Sequence, residues 1–424
     1  MSNPARIKSI TVKRLFNQFD HHIDFNQEER ITILHGINGV GKTTILRMIN
    51  NLFNARIYNF NEIPFTTFTV ELSNGNQIKV EKKQYKNKNT IKLFFNKESI
   101  DYQIFDKKEF LEFIKKLNWI KKINNGVFYD TKSEDVLSTE DLIVRYKNIF
   151  LGKSTKDSNA ESIVNNRLLT KFIETSRLFG VESLDDLQKN KEFSYTVGFE
   201  AYEMKQRFKN IMTEYAKKTQ ELEQTFPFRL LKASEHYTYE QLKERIEILQ
   251  NKRNKFKKLG LLPTTDTALL DAGSIDSLEE HHAAVMNLYV KDGEEKLNIF
   301  EPLADKIELL LKIINSKFQG KELRIDEKRG LIIIGKDGEI DLTLLSSGEQ
   351  HELVMFYDLI FKVEPNTLVM IDEPELSLHV TWQNKFINEL KQIVEHSEFD
   401  VLIATHSSTI IGKNSHLMVR LGVN

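Results

Sequence analysis

The sequence predicts an α/β fold interrupted by a long helical insertion. Three observations along its 424 residues support this class. Residues 1–105 contain strand patterns around one helix, residues 106–319 have mainly helical periodicity, and residues 320–424 return to strands and helices. We therefore predict that 1–105 and 320–424 form one split α/β head, and that 106–319 is inserted as a helical domain.

The N-terminal segment begins with short apolar strands that lead into a helix. Strands are predicted at 7–16, 19–25 and 30–34, and the first two suit a hairpin. A helix follows at 42–52, where the apolar residues have helical spacing. The dipeptide Asn74-Gly75 lies between two further strand-like runs and is a strong hairpin signal.

The insertion contains two short apolar seams, at 242–256 and 299–314. Their spacing of three, four and seven residues is typical of helices that pack side by side. Because each seam covers only about two or three heptads, we expect a short helical hairpin or bundle rather than a long coiled coil. The stretch 260–272, with a proline and three threonines, reads as a loop.

The C-terminal segment combines short strands with two helices. The predicted elements are strands at 323–325 and 331–334 with a turn at 336–338, a helix at 348–362, a strand at 367–371, a helix at 381–394 and a strand at 401–404.

Composition excludes several classes of protein. The net charge of −1 gives no global attraction to nucleic acid or membrane. The sequence has no cysteine, which excludes disulfides and thiolate metal sites. The first residues lack an apolar signal core, and no apolar run approaches the length of a membrane span. We therefore expect a cytoplasmic protein that does not insert into membranes.

The strongest motif is Gly36-Ile37-Asn38-Gly39-Val40-Gly41-Lys42-Thr43, which follows a predicted strand and opens a helix. It matches the phosphate-binding loop G-x-x-x-x-G-K-[ST]. Its backbone N–H groups can wrap phosphates, its lysine can reach the β- and γ-phosphates of ATP, and its threonine hydroxyl can bind Mg²⁺. The candidate nucleotide-binding residues are Gly36, Asn38, Gly39, Gly41, Lys42, Thr43 and Thr44, and Thr43 is also a candidate metal ligand.

A second motif is the apolar run 368–371 that ends in Asp372-Glu373-Pro374. A buried strand of this kind can deliver its first carboxylate, Asp372, to Mg²⁺ opposite the phosphate-binding loop. The second carboxylate, Glu373, can then polarise the attacking water. Alone the motif is common, but together with the phosphate-binding loop it indicates a nucleotide hydrolase.

A third motif, Leu345-Ser346-Ser347-Gly348-Glu349-Gln350, resembles the signature of ABC ATPases, usually Leu-Ser-Gly-Gly-Gln. It precedes the 367–371 strand and is also a simple helix N-cap. The resemblance implies that Ser346, Ser347 and Gly348 cover the γ-phosphate of an ATP held by a partner copy. The segment 375–379 resembles the D-loop of that family, and 401–407 resembles its switch strand, with His406 facing the γ-phosphate.

Together these motifs resemble the SMC/RecF/OLD branch of ABC ATPases, the AAA-15/AAA-21 group. The resemblance implies a split ABC-type P-loop ATPase head with a mixed sheet, ATP and Mg²⁺ as cofactors, catalysis by Glu373 and His406, and a head-to-head dimer or higher homo-oligomer. One departure is the glutamine of the Q-loop, for which Asn61, Glu62 and Gln77 are weak candidates. Coupling of nucleotide to movement of the insertion is therefore left open.

Within that branch the chain is similar to ATPases of bacterial anti-phage systems such as PARIS and Septu. Only 18 residues follow His406, too few for the Toprim domain with which OLD nucleases continue. The resemblance thus implies a separately encoded nuclease or toxin effector. The alternatives are an ATP-stabilised scaffold with little turnover and a RecF-like DNA-repair clamp.

Weaker features give less specific expectations. The pairs His21-His22 and His281-His282 lack the spacing of metal ligands, and Glu279 to His282 reads as a solvated helix face. Basic runs at 82–92, 107–122 and 252–258 are typical of solvated faces, with DNA contact by the insertion as the alternative.

Overall fold

The computed structural model describes residues 5–85, 88–102, 104–124, 126–152, 168–173, 179–180, 194–232, 237–263, 283–376 and 378–422. The chain forms two compact units. The first contains Met1–Ser194 and Lys362–Asn424, and the second contains Tyr195–Phe361.

The described strands and helices are numbered in chain order. The strands are β1 (Ile7–Leu15), β2 (Phe19–Asp24), β3 (Ile31–His35), β4 (Thr67–Leu72), β5 (Gln77–Tyr85), β6 (Lys88–Phe95), β7 (Glu98–Tyr102), β8 (Ile120–Asn124), β9 (Val127–Asp130), β10 (Asp135–Ser138), β11 (Thr170–Ile173), β12 (Phe179–Gly180), β13 (Ser194–Tyr195), β14 (Lys321–Asp326), β15 (Gly330–Gly335), β16 (Gly338–Ile340), β17 (Leu368–Asp372), β18 (Asp400–Thr405) and β19 (Met418–Arg420). The helices are α1 (Lys42–Phe53), α2 (Lys107–Lys115), α3 (Thr139–Phe150), α4 (Thr196–Leu231), α5 (Tyr239–Lys258), α6 (Ala283–Asn298), α7 (Glu301–Asn315), α8 (Ser347–Phe361), α9 (Val380–Ser397) and α10 (Ser408–Ile411).

The first unit contains a parallel sheet with the order β11-β17-β18-β3-β19. Strand β18 pairs with β17 on one side and with β3 on the other, so the N-terminal and C-terminal parts of the sequence share one sheet. This confirms the predicted split α/β head. Because all these strands are parallel, their carboxyl ends meet at one edge of the sheet, where ligands bind in α/β folds.

A separate antiparallel sheet of the first unit has the order β2-β1-β4-β5-β6-β7. The predicted β1–β2 hairpin is present, and β4 pairs with β5 across the predicted Asn74-Gly75 turn. Gly75 has a φ of 82°, a conformation that glycine adopts without steric cost. Alternate residues of these strands, such as Val70 and Ile78, are fully buried in the hydrophobic core of the unit.

Part of the segment predicted as helical is a small sheet instead. Strands β10, β9 and β8 pair in that order, and β11 joins the parallel sheet beside β17. Apolar residues of α2, β9 and α3, including Phe110, Phe128 and Leu142, belong to the core of the first unit. The helical expectation was wrong here because four- and five-residue strands leave no long periodic signal, and their stability depends on distant partners.

The second unit contains α4 to α8 and the antiparallel sheet β14-β15-β16. Leu242 and Ile246 of α5 are buried and pack with Met286 and Val290 of α6, which confirms a short helical bundle. The second seam lies on α7, where Leu303, Ile307, Leu310 and Ile314 are buried. Most of the predicted loop at 260–272 lies outside the described residues.

The boundaries of the compact units differ from the predicted boundaries at 105 and 320. Residues 106–194 belong to the first unit, whereas 320–361 belong to the second. The reason for the second difference is that β15 packs on α4 and β14 packs on α7, all within the second unit. Among the helices of the described ranges, none is long and apolar enough to cross a membrane.

Candidate functional site

The phosphate-binding loop connects the buried strand β3 to helix α1. Ile31, Ile33 and Leu34 of β3 are fully buried, which anchors the loop to an interior strand of the parallel sheet. Gly41 precedes the helix with a φ of 100°, and a Cβ atom added there would lie 2.4 Å from the side chain of Leu15. Only glycine fits this position without strain. The loop also contacts His21, whose Nε2 lies 2.9 Å from the carbonyl oxygen of Val40.

Lys42 is the central cation of the site and is only 5% exposed. Its Nζ lies 3.0 Å from the carbonyl oxygen of Gly36, 2.5 Å from Nε2 of His406 and 3.8 Å from Oε1 of Glu373. Burial lowers the pKa of Lys42, while the neighbouring carboxylates, first that of Glu373, oppose this effect. The ammonium is thus desolvated and held where α1 begins, an arrangement suited to binding phosphate oxygens.

The two predicted metal ligands, Thr43 and Asp372, lie side by side. The Thr43 hydroxyl at the start of α1 donates a 2.9 Å hydrogen bond to Oδ1 of Asp372 at the end of β17. A hydroxyl and a carboxylate are hard oxygen donors of the kind that Mg²⁺ prefers, and Mg²⁺ usually completes its shell with phosphate and water oxygens. These residues therefore fit a Mg²⁺ ion bound together with a nucleotide. Among the described residues, no cluster of three or more His, Asp or Glu forms an all-protein metal site.

Glu373 occupies a strained position directly after β17. Its φ is 43°, unusual for a residue other than glycine, and its N–H donates to the carbonyl oxygen of Ala404 at 2.8 Å. Burial raises the pKa of Glu373 to about 8, helped by the neighbouring Glu375 and opposed by Lys42. A carboxylate with such a pKa can accept a proton near neutral pH, as a general base must.

His406 lies beside both of these groups, after strand β18. Its Nε2 is 3.1 Å from Oε1 of Glu373. Burial, followed by the positive charge of Lys42, holds the pKa of His406 below its ordinary value. The imidazole is therefore neutral at pH 7 and can accept a hydrogen bond from the lysine.

Sequence reasoning missed the role of Glu375, which was seen only as part of a D-loop-like segment. Its Oε1 accepts hydrogen bonds from the Thr405 hydroxyl at 2.8 Å, the His406 N–H at 2.7 Å and the Ser407 N–H at 3.0 Å. Burial alone would raise the pKa of Glu375, but hydrogen bonding, first with Glu373 and then with Thr405 and His406, holds its pKa below the ordinary value. The feature of the sequence that could have indicated this role is the third acidic residue, which follows Asp372-Glu373-Pro374.

The signature-like residues lie in the second unit, at the start of α8. The N–H and hydroxyl of Ser346 donate to Oε2 of Glu349 at 2.9 and 2.8 Å, and the Glu349 N–H returns a bond to the Ser346 hydroxyl at 3.4 Å. This reciprocal pair is a capping box and confirms the predicted helix N-cap. Lys321 also binds Glu349, at 2.8 Å. Ser346 and Ser347 are exposed, whereas Gly348 is half-buried.

The remaining histidine and Q-loop candidates that the structure describes contact neighbouring residues of their own segment of the fold. His22 lies 3.2 Å from Asp24, and the pair His281-His282 lies outside the described residues, as do Glu279 and Glu280. Of the Q-loop candidates, Gln77 lies on β5 with its amide 3.5 Å from Glu71. Asn61 provides its carbonyl oxygen to Lys82 at 2.6 Å.

The basic run 252–258 is neutralised in part by acids of α7. Lys255 lies 3.2 Å from Asp305 and 2.7 Å from Glu308, and Lys252 is paired with Glu301. Lys82, in another basic run, donates to the carbonyl oxygens of Asn61 and Ile63 at 2.6 and 2.8 Å. The contacts of Lys252 and Lys255 agree with the prediction that 252–258 is a solvated helix face with acids nearby. Lys82 instead stabilises the local backbone of 61–63.

The strand-loop-helix of 31–53, with acidic and histidine residues at the ends of the adjacent parallel strands β17 and β18, is the arrangement of P-loop nucleotide-binding proteins. Residues 6–411 match the family of AAA ATPase domains (AAA_15), and the chain therefore belongs to that family. This membership makes it an ATP-binding ATPase. The comparison with curated proteins gives no match.

Several solved structures align with the chain at low identity. One is the Smc head domain with an extended coiled coil, bound to the C-terminal domain of ScpA, from Pyrococcus furiosus: 13% identity, 96% of this chain and 91% of that chain covered, TM-score 0.40. The SMC head domain from Thermotoga maritima aligns with 13% identity, the same coverage and a TM-score of 0.34. The Smc head domain with a coiled coil and joint from Pyrococcus yayanosii aligns with 14% identity, 99% and 95% coverage and a TM-score of 0.36.

Proposed function

We propose that the protein is an ABC-type ATPase that hydrolyses ATP with Glu373 as the general base. The observation that carries this proposal is the convergence of Lys42, Glu373 and His406, with Nζ of the lysine 2.5 Å from the histidine and 3.8 Å from the glutamate. The three side chains come from the ends of neighbouring elements around one sheet edge. A cation that binds the phosphates and a proton acceptor that orients the attacking water are groups that phosphoryl transfer to water uses, and the neutral imidazole lies beside both.

In the proposed reaction, Lys42 and the N–H groups of the loop 36–41 bind the β- and γ-phosphates. Water attacks the γ-phosphorus, the bond to the β-phosphate oxygen breaks, and Glu373 takes the proton that the water loses. A ring N–H of His406 donates a hydrogen bond to a γ-phosphate oxygen. Thr43 and Asp372 would hold Mg²⁺, which supplies charge neutralisation on the phosphates when it is bound.

We also propose that two copies share each nucleotide, with Ser346 and Gly348 of one copy facing the phosphates bound by the other. Support comes from the resemblance of 345–350 to the ABC signature and from the exposure of Ser346 at the start of α8. Leu344, beside the signature-like motif, is 74% exposed, and Ile37 of the phosphate-binding loop is 71% exposed, but single apolar residues of this kind are common on protein surfaces. A head-to-head dimer or a higher homo-oligomer would cover them.

At the level of biology, we propose a sensor or regulatory subunit of a bacterial anti-phage complex with a separate nuclease or toxin effector. This step rests on the motif resemblance alone. The scaffold alternative is less well supported, because the Glu373 carboxyl lies 3.8 Å from the Lys42 ammonium and 3.1 Å from the His406 ring, as a base for the attacking water should. A DNA clamp is also less well supported, since lysines of the densest basic run are paired with acids.

The test of the proposed activity is Mg²⁺-dependent release of phosphate from ATP. Glu373→Gln keeps the size of the side chain but removes the base, so turnover should fall by at least about 100-fold while ATP still binds. Glu395→Ala, at an exposed position of α9, is the matched control and should retain parental turnover. Unchanged hydrolysis by Glu373→Gln would show that the base is another residue or that the activity comes from a contaminant.

A further inference from the structure

One carboxylate oxygen receives three hydrogen bonds from the end of β18 and the residues that follow it. Oε1 of Glu375 accepts from the Thr405 hydroxyl at 2.8 Å and from the N–H groups of His406 and Ser407 at 2.7 and 3.0 Å. Three donors on one oxygen fix both the position and the direction of this short segment. A carboxylate suits this role because hydrogen bonds to a charged acceptor are stronger than those to a neutral one.

A second contact holds the same segment from helix α9. The Ser407 hydroxyl donates to Oε1 of Gln383 at 2.8 Å, and the Gln383 amide lies 3.4 Å from the carbonyl oxygen of Glu375. Gln383 is 8% exposed and Thr405 is fully buried, so neither can readily replace its partner with water. Glu375 and Gln383 thus form one hydrogen-bonded network around residues 405–407.

The His406 ring leaves this segment in the direction of the reacting groups. Its Nε2 lies 2.5 Å from Nζ of Lys42 and 3.1 Å from Oε1 of Glu373. The backbone of the same residue is bound to Glu375. The location of the imidazole therefore depends on the hydrogen bond that the His406 N–H donates to Glu375.

We propose that Glu375 is a positioning residue for ATP hydrolysis, which holds residues 405–407 so that the His406 ring stays beside Lys42 and Glu373. This inference rests on the proposed function of the site. Removing the carboxylate would leave the His406 N–H and the buried Thr405 hydroxyl without their acceptor, while the Ser407 N–H would keep its 2.9 Å hydrogen bond to the Thr405 hydroxyl oxygen. The segment would then move to find other acceptors. The ring would then spend less time where the γ-phosphate is bound. ATP affinity would change little, because the phosphate-binding loop makes none of these contacts with Glu375.

The experiment compares Glu375→Ala, Glu375→Gln and the control Glu395→Ala in the full chain. For each variant, kcat and KM for ATP are measured together with binding of a fluorescent ATP analogue. Glu375→Ala should lower kcat by about tenfold or more with ATP affinity within about twofold of the parent, since it removes an interaction that acts in the chemical step. Glu375→Gln retains an oxygen acceptor at the same place and should recover part of the lost kcat.

A double variant tests whether Glu375 acts through His406. If it does, Glu375→Ala combined with His406→Ala should be no slower than His406→Ala alone, because the two changes disable the same group. Multiplied losses would overturn the proposal. A kcat of Glu375→Ala equal to that of the parent would overturn it as well.

Hydrogen exchange of a peptide that covers 405–407 gives a readout independent of turnover. The amides of His406 and Ser407 should exchange faster in Glu375→Ala than in the parent, with Glu375→Gln between them and Glu395→Ala unchanged. Unchanged exchange in Glu375→Ala would overturn the positioning role even in an active enzyme. A parent that hydrolyses no more ATP than Lys42→Ala would instead overturn the proposed function, while the exchange result would still show whether Glu375 holds the loop.

Discussion

The hydroxyl of Thr43 donates a 2.9 Å hydrogen bond to Asp372, although 329 positions separate the two residues in the chain. The contact joins the first turn of α1 to the end of β17. It forms because β18 pairs with both β3 and β17, so that the phosphate-binding loop and the acidic residues lie at one edge of the sheet.

Lys42→Ala should remove most of the affinity for ATP. The substitution deletes an ammonium whose Nζ lies 3.0 Å from the Gly36 carbonyl oxygen inside the phosphate-binding loop. We expect the dissociation constant for a fluorescent ATP analogue to rise by about tenfold or more, as for loss of one desolvated charge contact. Lys391→Ala, at a residue bound to Glu29 and Asn414, provides a matched lysine control. Equal affinity of Lys42→Ala and the parent would exclude the loop as the binding site.

Gly41→Ala should destabilise the first unit. The alanine would have to adopt a φ of 100°, and its Cβ would lie 2.4 Å from the fully buried Leu15 side chain, which would have to shift. Backbone strain and overpacking together suggest a loss of roughly 2–4 kcal/mol in the free energy of unfolding. Gly39→Ala is the control, because Gly39 has a φ of 86° but open space around it. Urea titrations that gave both variants the same loss would contradict the close contact with Leu15.

The pH dependence of kcat/KM should report the titration of Glu373 in the free enzyme. Because burial raises its pKa to about 8, the glutamate is mostly protonated at pH 7 and becomes an effective base as the pH rises. We expect kcat/KM to increase with pH up to about 8 and then to level off, until other groups titrate. Glu373→Gln should lose this rise. A profile of the parent that is flat between about pH 6 and 9 would contradict the assignment.

The motifs of the site were predictable because each one is contiguous and lies at a strand end. The phosphate-binding loop, Asp372-Glu373 and His406 all follow buried apolar strands, and parallel strands bring such ends together. The hairpin at Asn74-Gly75 was predictable for a similar reason, since its turn chemistry is local.

Features that depend on distant partners were not predictable from the sequence. Strand β11 has four residues and is stabilised by pairing with β17, about 200 positions later. The three hydrogen bonds to Glu375 come from residues about 30 positions away, and no spacing rule connects them. The grouping of 320–361 with the helices likewise follows from the packing of β15 on α4 and of β14 on α7.

We propose that two copies share each nucleotide. Complementation between two inactive variants tests this proposal most directly. Gly348→Asp adds a carboxylate at the start of α8, where the proposed partner's γ-phosphate must be accepted, so this variant and Lys42→Ala should each be inactive alone. The two chains are co-expressed with different tags, and the heterodimer is purified through both tags. One site then combines both lesions, while the other has an intact phosphate-binding loop facing an intact signature. We expect about half of the parental turnover if the two sites act independently.

The control heterodimer combines Lys42→Ala with Glu373→Gln. Both residues belong to the phosphate-binding side of a site, so each site carries one lesion and no turnover should return. Recovery in the first heterodimer but not in the second is the result that the composite site predicts. A heterodimer of Lys42→Ala and Gly348→Asp that forms but hydrolyses no ATP, or a Gly348→Asp chain that is fully active alone, would contradict the claim.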